Sequence, residues 1–176
     1  MDQELYDLIS KASNGDKDAF ALLVKRFKSS VYRYAYGMLS DRMEAEDVAQ
    51  EAFIKAFYSL PKLEHGFAFT SWLTRIVSNL CYDRLNQRKK ENTSPQEWVE
   101  TTARVDLERT DLQMSIQEAL DTLSPEHREV IILRDVEGYS YDEIAGIIDI
   151  PIGTVKSRIN AARLLLRKEL KRGTGE

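Results

Sequence analysis

Lys156, Asn160, Arg163 and Arg167 recur at helical spacing near the end of the chain, so an α-helix would gather their ammonium, amide and guanidinium groups on one side. Such donors suit base edges and phosphates, both of which accept hydrogen bonds. Counting 100° per residue from Val155, Ile159, Ala162 and Leu166 fall within about 40° of it, roughly a quarter to a third of a turn from the donors. One face packs while the other meets a groove. Just upstream, Ile144, Ala145 and Ile148 share a face, and small Ala145 permits a close helix crossing. Asp149 tolerates the left-handed backbone of a tight turn, and Pro151 suits the entrance of a new helix. The spacing predicts a helix-turn-helix that reads DNA.

A second row of donors lies mid-chain. A helix carrying Trp72 to about Lys90, capped by Thr70 and Ser71, buries Leu73, Ile76, Val77 and Leu80. Its other side presents Arg75, Ser78, Asn79, Tyr82 and Asn86, and its end carries Arg84, Arg88, Lys89 and Lys90. Hydrogen-bonding groups, one aromatic ring and a basic end suit exposed bases with phosphates nearby. The plain alternative is an amphipathic helix with a solvated basic end. Phe67, Phe69 and Trp72 read as core rather than as stacking platforms.

The helix before it, about Glu44 to Leu60, has a broad apolar arc of Ala45, Val48, Ala49, Ala52, Phe53, Ala56 and Phe57. Asp47, Gln50, Glu51 and Ile54 project opposite, an arrangement that suits a protein interface or an ordinary solvated face. A metal site on its carboxylates is disfavoured, because Glu46 turns toward the apolar arc and no histidine joins Asp47 and Glu51. His65 and His127 stand far apart in sequence. Neither metal binding nor histidine catalysis is expected.

Positioning these rows requires helices throughout. Helical periodicity predicts Glu4 to Ser13, Asp18 to Leu39, Leu112 to Leu123, Pro125 to Val136, Tyr141 to Ile148 and Ile152 to Lys171 in addition. Asn14-Gly15-Asp16 and Glu137-Gly138 read as breaks, and Ser124-Pro125-Glu126 as a start. Residues 91–111 lack an apolar stripe and read as a flexible acidic linker. The expected fold is all-α: residues 1–90 and 112–176 form two small helical domains, the second containing the helix-turn-helix.

Net charge is −4 over 176 residues, which argues against an autonomous, salt-driven DNA coat protein. Locally the balance inverts, with seven basic residues and one acid between Lys156 and Arg172. Cys81 stands alone, so a packed reduced thiol in a cytoplasmic protein is expected. No apolar run approaches a membrane span, and the acidic start lacks the pattern of a signal peptide.

Four blocks carry a resemblance: Glu46 to Phe57 (EDVAQEAFIKAF), Phe69 to Leu80 (FTSWLTRIVSNL), Leu123 to Leu133 (LSPEHREVIIL) and Ile150 to Ile159 (IPIGTVKSRI). In this order and spacing the chain resembles the bacterial extracytoplasmic-function (group 4) sigma factors of the sigma-70 family. The resemblance implies a non-enzymatic subunit, without cofactors, that binds core RNA polymerase and directs promoter recognition and −10 melting. Residues 18–90 would grip the polymerase through Asp47, Gln50, Glu51 and Ile54. A loop at 61–67 and the following helix would capture an extruded −10 base, with Leu63 and Asn79 as pocket and Arg75, Tyr82, Arg84 and Arg88 nearby. Thr154, Lys156, Ser157, Arg158, Asn160 and Arg163 would read the −35 element. Relatives of this kind are held inactive by an anti-sigma factor, often membrane-anchored.

Two departures stand out. Asn160-Ala161 replaces a common aromatic or His followed by Arg, and Asp149 replaces the usual turn Gly. A free-standing helix-turn-helix repressor would need a dimerisation seam, and no long heptad run is visible. A DNA enzyme would need a carboxylate cluster facing a cleft.

Overall fold

The computed structural model describes residues 3–92 and 111–173, with the backbone alone for Phe67 and residues 111–115. Among the described residues every regular element is helical: α1 (Gln3–Ser13), α2 (Lys17–Leu39), α3 (Arg42–Ser59), α4 (Phe69–Asn92), α5 (Asp111–Asp121), α6 (Pro125–Ile131), α7 (Tyr141–Ile148) and α8 (Ile152–Gly173). The expected linker lies, except at its ends, outside the described residues; Glu91 and Asn92 extend α4 and Asp111 opens α5.

Local chemistry sets the boundaries. Asp16 caps α2, accepting from the backbone N–H of Asp18 and Ala19, each at 3.0 Å, a device worth about 1 kcal/mol. Gly15 takes the preceding turn at φ +94. α3 starts earlier than the apolar arc indicates, because Asp41 caps it through the Glu44 N–H at 2.8 Å. Thr70 and Ser71 are not caps of α4. They sit in its first turn, which follows directly from a 3-10 turn at Gly66–Ala68. Ser124 and Pro125 open α6 as read, but its last residues, Ile132–Val136, widen into a π-turn. There the Glu137 N–H donates to the Ile132 carbonyl at 2.9 Å.

The first bundle packs α1 to α4 around Leu23, Met38, Leu39, Val48, Phe69 and Leu73, each at most 2% exposed. The second packs α5 to α8 around Leu133, Ile144, Ile147, Val155 and Ile159. The bundles touch. α2 and α4 receive α6, the π-turn and α7, and one continuous apolar cluster runs through both. Gly37 makes this approach possible, since a Cβ there would stand 2.8 Å from Ile132 Cδ1.

Candidate nucleic-acid and polymerase interface

The helix-turn-helix forms as its residues dictate. Ser140 and Glu143 make a reciprocal capping box at the start of α7, the pairing that a Ser-x-x-Glu sequence signals. Asp149 closes α7 in the left-handed region at φ 56. The buried face of α7 is centred on Ile144 and Ile147, with Ala145 and Ile148 at its flanks. Val155, Ile159 and Ala162 of α8 are fully buried, so the reader's orientation is fixed by packing. Lys156, Ser157 and Asn160 are exposed, while Thr154 and Arg158 are half-buried. Arg163 is held by a two-pronged ion pair with Asp135 at 2.5 and 3.1 Å, which raises its already high pKa.

On α3 the inward arc is as expected, with Ala45, Val48, Ala52 and Ala56 all sealed. Asp47, Gln50 and Ile54 stand outside, Ile54 at 59% exposure. Two carboxylates depart from the wheel. Glu46 faces solvent beside Arg42, and Glu51 is half-buried between Lys55 at 3.5 Å and Arg84 at 3.3 Å. Arg84 and Arg88 are therefore not a solvated basic end. Arg88 pairs with Glu44 and donates to the Leu39 carbonyl at 3.0 Å, tying α4 to α3 and α2.

The polar side of α4 departs most from expectation. Arg75 and Asn79 are exposed, but Ser78 is 5% exposed and Tyr82 half-buried, because the second bundle lies on them. Glu129 of α6, 2% exposed, accepts from the hydroxyls of Ser78, Tyr82 (2.8 Å) and Tyr34 (2.6 Å). Burial, reinforced by this carboxylate, raises the Tyr34 and Tyr82 pKa values well above the ordinary phenol. Asn79, Tyr82 and Arg158 thus line one cleft of about 230 Å³ between the bundles. Leu63 lies elsewhere, in a polar pocket of about 150 Å³ between the 60–66 loop and Tyr6, Ser10 and Ser13 of α1. The structure does not bring Leu63 and Asn79 into one pocket.

Sequence reasoning missed Glu129 and its neighbour Arg128, also buried. The signal was their position beside Val130 to Leu133, an apolar run too long to leave a polar face. Cys81 is buried and free, its pKa raised by burial. Phe69 is core and Trp72 half-buried.

Two helical bundles, the second presenting a helix-turn-helix with exposed donors on α8 and the first an exposed Ile54 beside Asp47 and Gln50 on α3, form a two-domain helix-turn-helix protein. Comparison with known proteins gives the same class. The Sigma-70 region 2 family matches residues 23–91 and the Sigma-70 region 4 family residues 113–166. The chain is 35% identical over 188 residues to the ECF RNA polymerase sigma factor SigW of Bacillus subtilis (strain 168), covering 97% of this chain and 99% of that protein. Among solved structures it resembles the sigma factor RpoE, in complex with the anti-sigma factor NepR, from Bartonella quintana: TM-score 0.71, 33% identity, 85% of this chain and 93% of that one. CnrH, in complex with the cytosolic domain of CnrY, shares the fold at TM-score 0.76 and 24% identity, covering 97% and 99%. The chain belongs to the sigma-70 family as an extracytoplasmic-function sigma factor, an alternative factor for transcription initiation. A free-standing regulator is not favoured, since the match spans both bundles.

Proposed function

We propose that residues 1–90 form the polymerase- and −10-binding domain, 91–111 the linker, and 112–176 the −35-binding domain of a factor that performs no bond chemistry itself. Asp47, Gln50 and Ile54 are the grip on core RNA polymerase, with Glu51 steadied by Arg84 at its edge. On α8, Lys156, Ser157 and Asn160 read the −35 major groove, with Thr154 and Arg158 at its margins and Arg163 joining from its ion pair with Asp135. On α4, Arg75, Asn79 and Tyr82 meet the −10 strand, and Leu63 contributes from the loop pocket. Arg84 and Arg88 serve chiefly to brace α4. The observation that carries this reading is the pairing of an exposed Ile54 between carboxamide and carboxylate on α3 with exposed donors on a packed reader helix.

Capturing an extruded base must offset a few kcal/mol of unstacking, and a bidentate guanine contact discriminates by about 1–3 kcal/mol. An acidic chain gains enough affinity only when the polymerase holds both bundles at promoter spacing. An anti-sigma factor is the expected inhibitor; the similarity to RpoE, solved with NepR, supports that class of partner. No helix among the described residues is long and apolar enough to cross a membrane, and action on RNA polymerase supports a cytoplasmic location. In vitro transcription with purified core enzyme on a genomic fragment library tests the function. Specific transcripts sharing −35 and −10 elements are expected, and their absence would refute it.

A further inference from the structure

We propose that Asp135 is a positioning residue for −35 recognition: its carboxylate grips one edge of the Arg163 guanidinium and so presents another edge to a guanine in the major groove. The inference deepens the −35 reading proposed for α8 and rests on it. The two prongs fall on particular atoms. Asp135 Oδ2 accepts from Nε at 3.1 Å and Oδ1 from Nη2 at 2.5 Å, which takes up the side edge of the guanidinium. Nη1 and the remaining N–H of Nη2 make up its end edge, whose paired donors match the O6 and N7 acceptors of guanine.

Both halves of the pair stand on sealed backbone. Asp135 follows Leu133 by two residues in the π-turn, and Arg163 follows Ala162 on α8; Leu133 and Ala162 are fully buried. The pair itself is open, its side chains 42% and 39% exposed, and Arg163 shares its side of α8 with Lys156, Asn160 and Arg167. An arginine clamped in this way has less rotamer freedom left to lose on contact. Charge makes the clamp selective as well as rigid. Binding to unrelated DNA is driven by cations that neutralise phosphates, and an arginine already paired with a carboxylate adds little to it. Its directional donors survive the pairing. Asp135 therefore restrains affinity for any sequence while keeping the contact that tells a guanine from the other bases.

The test uses holoenzyme reconstituted from core polymerase with wild type, Asp135→Asn, Arg163→Ala or the double variant. The DNA probes are one promoter recovered from the genomic library, every single base-pair substitution across its −35 element, and an unrelated duplex of equal length. Wild type should discriminate at a G·C pair whose recognition Arg163→Ala removes. Asp135→Asn should cut discrimination at that pair by roughly fivefold or more, without weakening binding to the unrelated duplex. In the Arg163→Ala background the asparagine should alter it by less than about twofold. A loss spread evenly over all positions would overturn the inference, because phosphate contacts and structural defects act uniformly. So would the lack of an Arg163-dependent G·C pair, or a loss there that persists without Arg163. Should Asp135→Asn fail to fold by circular dichroism, Asp135→Glu, whose longer side chain displaces the carboxylate, takes its place. Absence of any −35 preference in wild type sinks the reader assignment and the inference together, whereas a preference that Asp135→Asn leaves unmoved sinks the inference alone.

Discussion

Arg128 is the side chain on which the second bundle's integrity most depends, and replacing it with methionine gives a sharp test. The residue is 9% exposed, and its guanidinium donates to four carbonyls: Leu120 (3.0 Å), Leu123 (3.1 Å), Asp121 (3.2 Å) and, across the seam, Met38 (2.6 Å). Leu120 and Asp121 close α5 and Leu123 lies just past it, where carbonyls run short of helical donors; Leu120 also accepts from the Leu123 N–H at 3.1 Å. Burial lowers the guanidinium pKa, and the Asp121 carboxylate at 3.9 Å opposes that shift. Methionine fills the volume but supplies no donor, so four carbonyls lose the guanidinium at once, with Leu120 keeping the Leu123 N–H at 3.1 Å. Hydrogen bonds to a charged group contribute about 1.5–3 kcal/mol each, and such bonds from one group do not add. Removing one member of a buried charged set costs about 3–5 kcal/mol. For a bundle of this size that is a fall in Tm of roughly 12 °C or more. Arg128→Lys should recover less than half, since one ammonium does not span both Leu120 and Met38. Thermal unfolding by circular dichroism measures both, and a methionine variant melting within about 3 °C of wild type would refute the assignment.

Asp47→Ala with Ile54→Ala should abolish copurification with core polymerase at unchanged Tm, because both side chains are exposed; retained binding in a pull-down would remove α3 from the interface. Lys156→Ala and Arg163→Ala should each reduce −35-dependent run-off transcription several-fold. Arg163→Ala should shift stability by less than about 1 kcal/mol, as its ion pair with Asp135 is on the surface; unaltered promoter selectivity counts against the reader face. Alkaline pH should destabilise the fold. Cys81 and Tyr34 hold their protons above the ordinary values of 9.0 and 10.0 in the native state, whereas the unfolded chain releases them there. Native protein then binds more protons than unfolded, so stability falls by about 1.4 kcal/mol per pH unit for each group. A Tm flat between pH 9 and 11 would contradict this.

What local chemistry determines was legible before the fold was known. The helical repeat placed α1 to α8 within a few residues, and Asp149 was read as the left-handed turn it adopts at φ 56. Errors of extent came from caps: Asp41 starts α3 ahead of its apolar arc, and Thr70 lies inside α4 rather than before it. The candidate site was legible only on faces where nothing else packs. Ile54, Lys156 and Asn160 are exposed as the wheel requires. Arg84, Arg88 and Ser78 are engaged by Glu51, Glu44 and Glu129. Those partners are 33, 44 and 51 positions away, and helical periodicity carries no information about which helix will cover a polar face.

The burial of part of α4's polar face and its proposed function have one physical origin. The hydroxyls and amide of Ser78, Asn79 and Tyr82 are promiscuous: they bond a base edge, a phosphate or a carboxylate with similar geometry. A surface suited to exposed nucleic acid is therefore also suited to an acidic residue of the same chain, and the acidic net charge makes such residues plentiful. Glu129 differs from a passing surface carboxylate because it is 2% exposed and takes its hydrogen bonds from donors of the opposite bundle. Withdrawing it into water gives back its hydration, which keeps the closure reversible rather than a permanent core contact. Substituting Glu129 with leucine should then convert the seam from a polar latch to an apolar one, leaving three hydroxyls unsatisfied. The closed form should lose stability, rather than gain it as an apolar replacement in a hydrophobic interface would.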